Sequence, residues 1–284
     1  MIDAGLVEVD GEPVKPSYKI SPGETITIKL QPRPQPSFDP ENIPLDVVYE
    51  DPHLVIINKP AGMVVHPAQG NWSGTMMNAL IGRYHDLREK GEEFRGGIVH
   101  RLDKDTTGLL VAARDEYTLG ELGKQFSART IERKYQALVW GHPRKRTGDI
   151  EANLGRSSKD RKVFTVTDDG KPALTRYRVA ELFENLSLLE LSLATGRTHQ
   201  IRVHMKHFGH PVFGDATYGG RYAGFGNLTS AQRVFHAGLL NIMQRQALHA
   251  GTLGFLHPVK REFMRFECEL PEDFAEVLRR LRNK

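Results

Sequence analysis

A single cysteine, Cys268, in a chain of 284 residues leaves no partner for an internal disulfide and excludes an all-cysteine metal site. That usage fits a reducing compartment, and the cytoplasm is the expectation. No apolar run approaches the roughly 20 residues that a membrane-spanning helix needs, and no basic-then-apolar signal opens the chain, so no membrane partner is expected. Charge of one sign is not in large excess: 39 Lys and Arg against 35 Asp and Glu leave a formal net charge of +4. A balance this mild is compatible with a polyanionic partner but does not specify one. Phosphate-loop and dinucleotide fingerprints are absent too, so no nucleotide cofactor is implied.

What is present is an ordinary globular composition, 39% apolar, enough for a substantial core. Leu6 to Val9 and Val14 flank the turn signal Asp10-Gly11, and the alternating run Thr25 to Leu30 follows, so the first 31 residues read as a small β-rich module. Prolines recur too often over 32–44 for a helix or a central strand, which predicts a semi-extended linker and a domain boundary there. Beyond it, Val47 to Tyr49, Leu54 to Ile57, Tyr135 to Trp140, Thr175 to Leu182 and Leu186 to Leu193 read as strands. Met264, Phe266, Cys268 and Leu270 alternate as in a half-buried strand. Helices are predicted from Thr75 to Tyr84, capped by Ser73, from Glu116 to Ser127, from Arg197 to Phe208 and from Glu272 to Leu281. Strand and helix do not alternate regularly, so residues 45–284 are expected to form an α+β domain on a mixed, mainly antiparallel sheet.

The most informative stretch runs from Gly97 to Ala112, where a dense polar cluster lies between the apolar runs Ile98-Val99 and Leu109 to Val111. Those runs read as short buried strands, which leaves Arg101, Asp103, Asp105 and Thr107 in the connecting loop or at its rim. On its own this pattern serves equally well as a β-turn whose Asp and Thr side chains bond their own backbone. Three later segments bear on the choice: Arg133 to Gly141, Thr195 to His204, and Gly209 to Asp215. With the Gly97 stretch, in this order over about Leu45 to Pro258, they resemble the RluA family of RNA pseudouridine synthases. The tail, Arg245 to Ala250 followed by Leu253 to Pro258, is most similar to the RluD-type branch, which acts on large-subunit ribosomal RNA. The opening module resembles the C-terminal half of the αL-type, S4-like RNA-binding domain; the helical half that precedes it in such domains is not in this sequence, so a partial module is expected over 1–31.

The resemblance implies an enzyme that isomerises uridine to pseudouridine in structured RNA, probing a base flipped out of its helix. The reaction breaks a carbon–nitrogen glycosidic bond, turns the bound base and rejoins it through a ring carbon, and it consumes no external reactant. It needs an ionised carboxylate at the sugar or base, a platform for the detached ring and exclusion of competing water. The resemblance makes Asp103 the catalytic aspartate, whether by covalent addition or by removal of a sugar proton to give a glycal. It makes Tyr135 the ring that stacks on the base, where a strand position alone would suggest core packing. Arg202 becomes the cation that keeps Asp103 ionised and oriented, where a helix edge alone would suggest a solvated or phosphate-facing residue. Asp105 invites a paired-carboxylate reading, but its loop position fixes no separation between the two groups.

Arg101 is placed by resemblance in the space vacated by the flipped nucleotide, with a loop salt bridge as its simpler reading. Arg156, Lys159 and Arg161 form a local basic group expected to meet RNA, as are Arg197 and His199; a solvated loop is the alternative. Ile201, Leu253 and Phe255 are expected to wall the pocket. His204 and His207 share a predicted helical face, yet no acidic partner has ligand spacing, so no metal is expected. The segment 221–233, rich in glycine and aromatics, is expected to order on RNA. Monomeric action on ribosomal RNA, or a pre-ribosomal particle, is the leading expectation. A non-catalytic RNA-binding or ribosome-assembly factor, a synthase acting on transfer RNA, and a hydrolase releasing uracil are the rivals.

Overall fold

Two runs that are apolar without alternation mark the centre of the larger unit: Leu54–Lys59 is buried at all but one position and Thr107–Ala113 at every one. Strands of that kind are covered on both faces. The computed structural model describes residues 1–30, 38–68, 70–221 and 228–284, with only the backbone of Glu92 and Glu93. The chain divides into two compact units, Met1–Pro36 and Ser37–Lys284. The first part of the expected linker, 32–37, and residues 222–227 of the expected RNA-ordered segment lie outside the described residues.

In the smaller unit β1 (Val7–Val9) pairs antiparallel with both β2 (Glu12–Pro13) and β3 (Ile26–Ile28). The larger unit contributes β4 (Val47–Glu50), β5 (Leu54–Lys59), helices α1 (Met76–Arg83) and α2 (His85–Glu89), β6 (Thr107–Ala113), α3 (Glu116–Ala128) and β7 (Glu132–Trp140). It continues with β8 (Thr147–Arg156), β9 (Phe164–Val166), β10 (Lys171–Leu182), β11 (Leu186–Leu193), α4 (Gln200–His207), α5 (Ser230–Ile242), β12 (Leu248–Leu256), β13 (Phe263–Glu267) and α6 (Glu272–Arg282). Its strands form one sheet in the order β4-β5-β6-β12-β7-β11-β10-β8-β9, with β13 added to β12. Among the described residues only β6 and β12 run parallel, and the other pairings of this sheet are antiparallel. This is the mixed, mainly antiparallel α+β architecture expected from the sequence.

Local sequence explains most elements. In β10, Ala173, Thr175, Tyr177 and Val179 face inward while Arg176 and Arg178 face water, the period of two that a half-buried strand requires. One core cluster gathers β5, β6, α1 and α2; a second gathers β7, β10, β11, α4, α5 and α6. Two helix starts differ from the sequence expectation. Helix α1 is capped by Thr75 rather than Ser73: the Thr75 hydroxyl accepts from the Asn78 amide and the Asn78 side chain accepts from the Thr75 amide. Helix α4 starts at Gln200 rather than Arg197, because His199 takes a left-handed conformation that ends the preceding turn. Residues 230–233, expected to order only on RNA, form the first turn of α5, fixed by a Thr229–Gln232 capping box.

The parallel pair is set by a glycine. Gly108 has φ +115° and a side chain there would stand 2.3 Å from the Ala250 carbonyl oxygen, so β12 can approach β6 only because no Cβ intervenes. Gly108→Ala is expected to destabilise the larger unit by about 3 kcal/mol or more, measured by urea unfolding. Buried histidines make a second expectation. Burial pulls His100 down to about 3, with Arg133 adding to the effect, and pulls His204 and His249 down to about 4. The unfolded chain, with histidines near 6.5, binds more protons than the folded one between about pH 4 and 6.5, so stability rises with pH across that window. The urea midpoint should therefore be lower at pH 5 than at pH 7.

Candidate active site

Asp103 lies in the loop that enters β6, and its position is set by buried groups on both sides. Toward the cleft, Arg202 donates from Nη1 to Asp103 Oδ2 at 3.0 Å. The same guanidinium donates from Nε and Nη2 to the two oxygens of Asp215, at 2.7 and 3.0 Å. Asp215 is fully buried and also accepts from the backbone amides of Thr217 and Tyr218 at 3.0 Å each. Burial works against the charge on Arg202, but Asp215 and Asp103 outweigh it and hold its pKa above the ordinary range. The Tyr218 ring lies 4.9 Å from the guanidinium carbon and covers its remaining face. Arg202 is 6% exposed, so it is a buried linker between two carboxylates and not a solvated helix edge.

From behind, the loop is held by its carbonyls. The Lys59 ammonium, fully buried, donates to the carbonyls of Pro60, Met63 and Lys104 at 2.8, 2.9 and 2.9 Å. Burial pulls its pKa down to about 7 although Asp105 and Asp103 oppose the shift. Arg245 donates from Nη1 to the Asp105 carbonyl at 2.9 Å and forms a two-pronged pair with Asp273, 2.8 Å on each side, at the start of α6. Gln246 bonds the Thr106 hydroxyl at 3.2 Å. Consecutive residues of the loop are thus tied down while the Asp103 carboxylate stays in the cleft.

The cleft has a volume of about 660 Å³ and is bordered by Asp103, Tyr135, His199, Arg202, Leu102, Ile201 and Leu248. Arg95, Arg101, Arg129, Arg133 and Arg197 surround it. Tyr135, on β7, is 6% exposed, and burial raises its phenol pKa, so the ring is neutral at physiological pH. Its hydroxyl makes no hydrogen bond to a described residue, which leaves it available to a ligand. His66 also borders the cleft; burial, with Arg101 and Arg95 adding, pulls it to about 4, so it too is neutral.

The structure brings Asp103, Tyr135, Arg202, Arg101, Arg197, His199 and Ile201 to one cleft. Leu253 and Phe255 are a correction. Both are packed in the cluster beneath β5 and β6 and neither borders the cleft. Their side chains are covered by the strands and helices of that cluster, and Leu248 supplies the apolar wall instead. Asp105 does not border the cleft, and it is the backbone carbonyl that is engaged. Arg156, Lys159 and Arg161 are exposed and lie outside the cleft lining. They reach its rim indirectly: the Arg156 guanidinium lies 5.4 Å from the Phe164 ring, whose edge meets His199 at 5.9 Å. His204 donates or accepts at Thr175, 2.9 Å away, inside the core. The roles of Asp215 and Tyr218 had no sequence signal beyond the Gly-Asp dipeptide in a shared motif, because their partner precedes them by a helix and a turn.

Removing Asp215 leaves Arg202 buried with half its charge unmatched. Asp215→Ala is expected to lower stability by about 3 kcal/mol or more, read by urea unfolding, a loss typical of breaking a buried ion pair.

Known proteins bear on this geometry. Residues 53–207, a span that includes Asp103, Tyr135, His199 and Arg202, match the RNA pseudouridylate synthase family, and residues 1–26 match the S4 domain. An uncharacterized RNA pseudouridine synthase of Chlorobaculum parvum is 45% identical over 99% of this chain and 88% of its own length. Ribosomal large subunit pseudouridine synthase D of Zymomonas mobilis is 43% identical over 94% of this chain and 82% of its own. Among solved structures, human RNA Pseudouridylate Synthase Domain Containing 4 superposes with a TM-score of 0.61 at 26% identity, covering 83% of this chain and 92% of that one. No helix among the described residues is long and apolar enough to cross a membrane. A carboxylate paired with a buried arginine beside a neutral tyrosine in an arginine-lined cleft, on a sequence matching over more than half its length, places this chain in the RNA pseudouridine synthase family, and it is an RNA pseudouridine synthase.

Proposed function

We propose that the protein converts specific uridines to pseudouridine in large-subunit ribosomal RNA, acting as a monomer without a cofactor on a base flipped out of its helix. The observation that carries this reading is the Asp103 carboxylate, held at 3.0 Å by a buried guanidinium inside a cleft that also presents the Tyr135 ring. A carboxylate so held can act on the ribose or the base, while Tyr135 supplies a flat neutral face for the detached uracil. Flipping follows from access, since the glycosidic bond and the far ring edge cannot both be reached inside a stacked helix. Ribosomal RNA is favoured by relatives such as the Zymomonas mobilis enzyme, whose name gives the large ribosomal subunit.

Within this reading, residues 45–284 carry the chemistry, 1–31 form an accessory RNA-binding module and 32–44 join them. Arg101 fills the gap left by the flipped nucleotide. Arg129, Arg133 and Arg197 meet phosphates, and Arg156, Lys159 and Arg161 extend that contact along the rim. A glycal route, in which Asp103 removes a sugar proton, suits a carboxylate whose one oxygen is fixed by Arg202.

The test is release of tritium from ribosomal RNA labelled at carbon 5 of uracil, since that hydrogen leaves only when the ring rejoins through its carbon. The parent protein should release tritium and form pseudouridine, and Asp103→Ala should release none while still binding RNA. Tight binding by an inactive parent would favour an assembly factor. Arg129→Ala is expected to weaken binding without changing the modified site and to reduce the salt dependence of log K by about one.

A further inference from the structure

His199 holds a backbone conformation that side chains other than glycine rarely adopt, φ 54° and ψ 21°, at the start of α4, and its ring does not cap the helix. Such a conformation is strained and persists only where the surroundings impose it. Gln200 imposes it here. Its side-chain oxygen accepts from the Thr195 hydroxyl and the Arg197 amide, at 2.7 and 3.0 Å, and its nitrogen donates to the Leu174 carbonyl and the Thr175 hydroxyl. The loop is fixed, and the imidazole is carried to the side of Asp103.

The Tyr218 hydroxyl determines which nitrogen of that ring bears the proton. Its oxygen lies 2.8 Å from His199 Nδ1 and accepts from the Phe164 amide at 3.1 Å. A phenol has one hydrogen to give, and Nδ1 is the acceptor it meets among the described residues. If Nδ1 carried a proton instead, the phenol hydrogen of a fully buried tyrosine would be left unpaired, which is costly. Nδ1 therefore accepts and the proton sits on Nε2. Burial also pulls His199 below its ordinary range, although Asp103 opposes it, so the ring is neutral.

Nε2 stands 4.0 Å from Asp103 Oδ2, too far for a hydrogen bond, and that oxygen is already taken by Arg202. A neutral N–H, fixed in direction, thus faces the open cleft next to the carboxylate, with no acceptor for it among the described residues. A phosphate in that place would be repelled by Asp103, whereas an uncharged oxygen would not. We propose that His199 contacts the substrate, its Nε2–H donating to an uncharged oxygen of the nucleotide held against Asp103, and that Tyr218 is a positioning residue that fixes this tautomer. The proposal rests on the uridine-isomerase reading and adds a donor to it.

The experiment is single-turnover tritium release with the full chain and labelled ribosomal RNA, with RNA affinity measured in parallel. The variants are His199→Ala, His199→Gln, Tyr218→Phe and the pair His199→Gln with Tyr218→Phe. A glutamine amide carries its hydrogens near the position of Nε2 whatever Tyr218 does. His199→Ala should lose about 100-fold in rate with affinity little changed, as expected for one donor to a reacting group, and His199→Gln should recover most of that loss. Tyr218→Phe should slow the parent about 10-fold and cost nothing further in the glutamine background, because the tautomer no longer matters there. Equal losses from Tyr218→Phe in both backgrounds would reduce Tyr218 to a structural role and overturn the proposal, as would a fully active His199→Ala. A parent that binds RNA and releases no tritium overturns the isomerase reading itself, and this inference with it.

Discussion

One buried guanidinium organises the catalytic half of the molecule. Arg202 is the only link between a carboxylate that the fold encloses, Asp215, and one that the fold presents to the cleft, Asp103, among the described residues. Burying a charge is expensive unless it is paired and hydrogen-bonded, and here the guanidinium donates twice to Asp215 and once to Asp103, with the Tyr218 ring over one face. The bend that carries Asp215, the helix that carries Arg202 and the loop that carries Asp103 are consequently locked to one another. The Asp103 carboxylate is aimed into the cleft before any ligand arrives.

The same loop is secured from its other side by cations that grip carbonyls rather than carboxylates. Lys59 holds the Lys104 carbonyl and Arg245 holds the Asp105 carbonyl, so two adjacent peptide units cannot rotate without breaking charge-assisted bonds. Arg245 is itself fixed by Asp273, which ties the last helix to the catalytic loop. Side chains that never reach the cleft thus decide where Asp103 stands.

Much of this was legible in the sequence because it depends on local pattern. Alternation in β10, unbroken apolar runs in β5 and β6, and the amphipathic helices are consequences of period, which a sequence displays directly. Shared motifs identified Asp103, Tyr135 and Arg202, and the fold sets all three on one cleft. What was not legible depends on three-dimensional pairing. Leu253 and Phe255 pack with β5 and β6 instead of bordering the cleft, a placement that depends on which elements the fold lays against β12. The burial of Arg202 depends on an aspartate beyond the end of its own helix, and the tautomer of His199 depends on a tyrosine 19 residues later in the chain.

The narrow parallel pairing of β6 with β12 has a consequence for how the enzyme is made. Thr107 and His249, 142 positions apart in the chain, meet there, and Gly108 lets them come that close. Contacts so distant in sequence form late, since a long loop must be closed before they repay its entropy. On the ribosome, the antiparallel β5–β6 pair can form long before β12 has been synthesised, yet the cleft lacks Leu248 and the Arg245 clamp until nearly the whole chain has emerged. A nascent or C-terminally shortened chain therefore carries Asp103 without the frame that aims it, and competence arrives in one step with the closing strand.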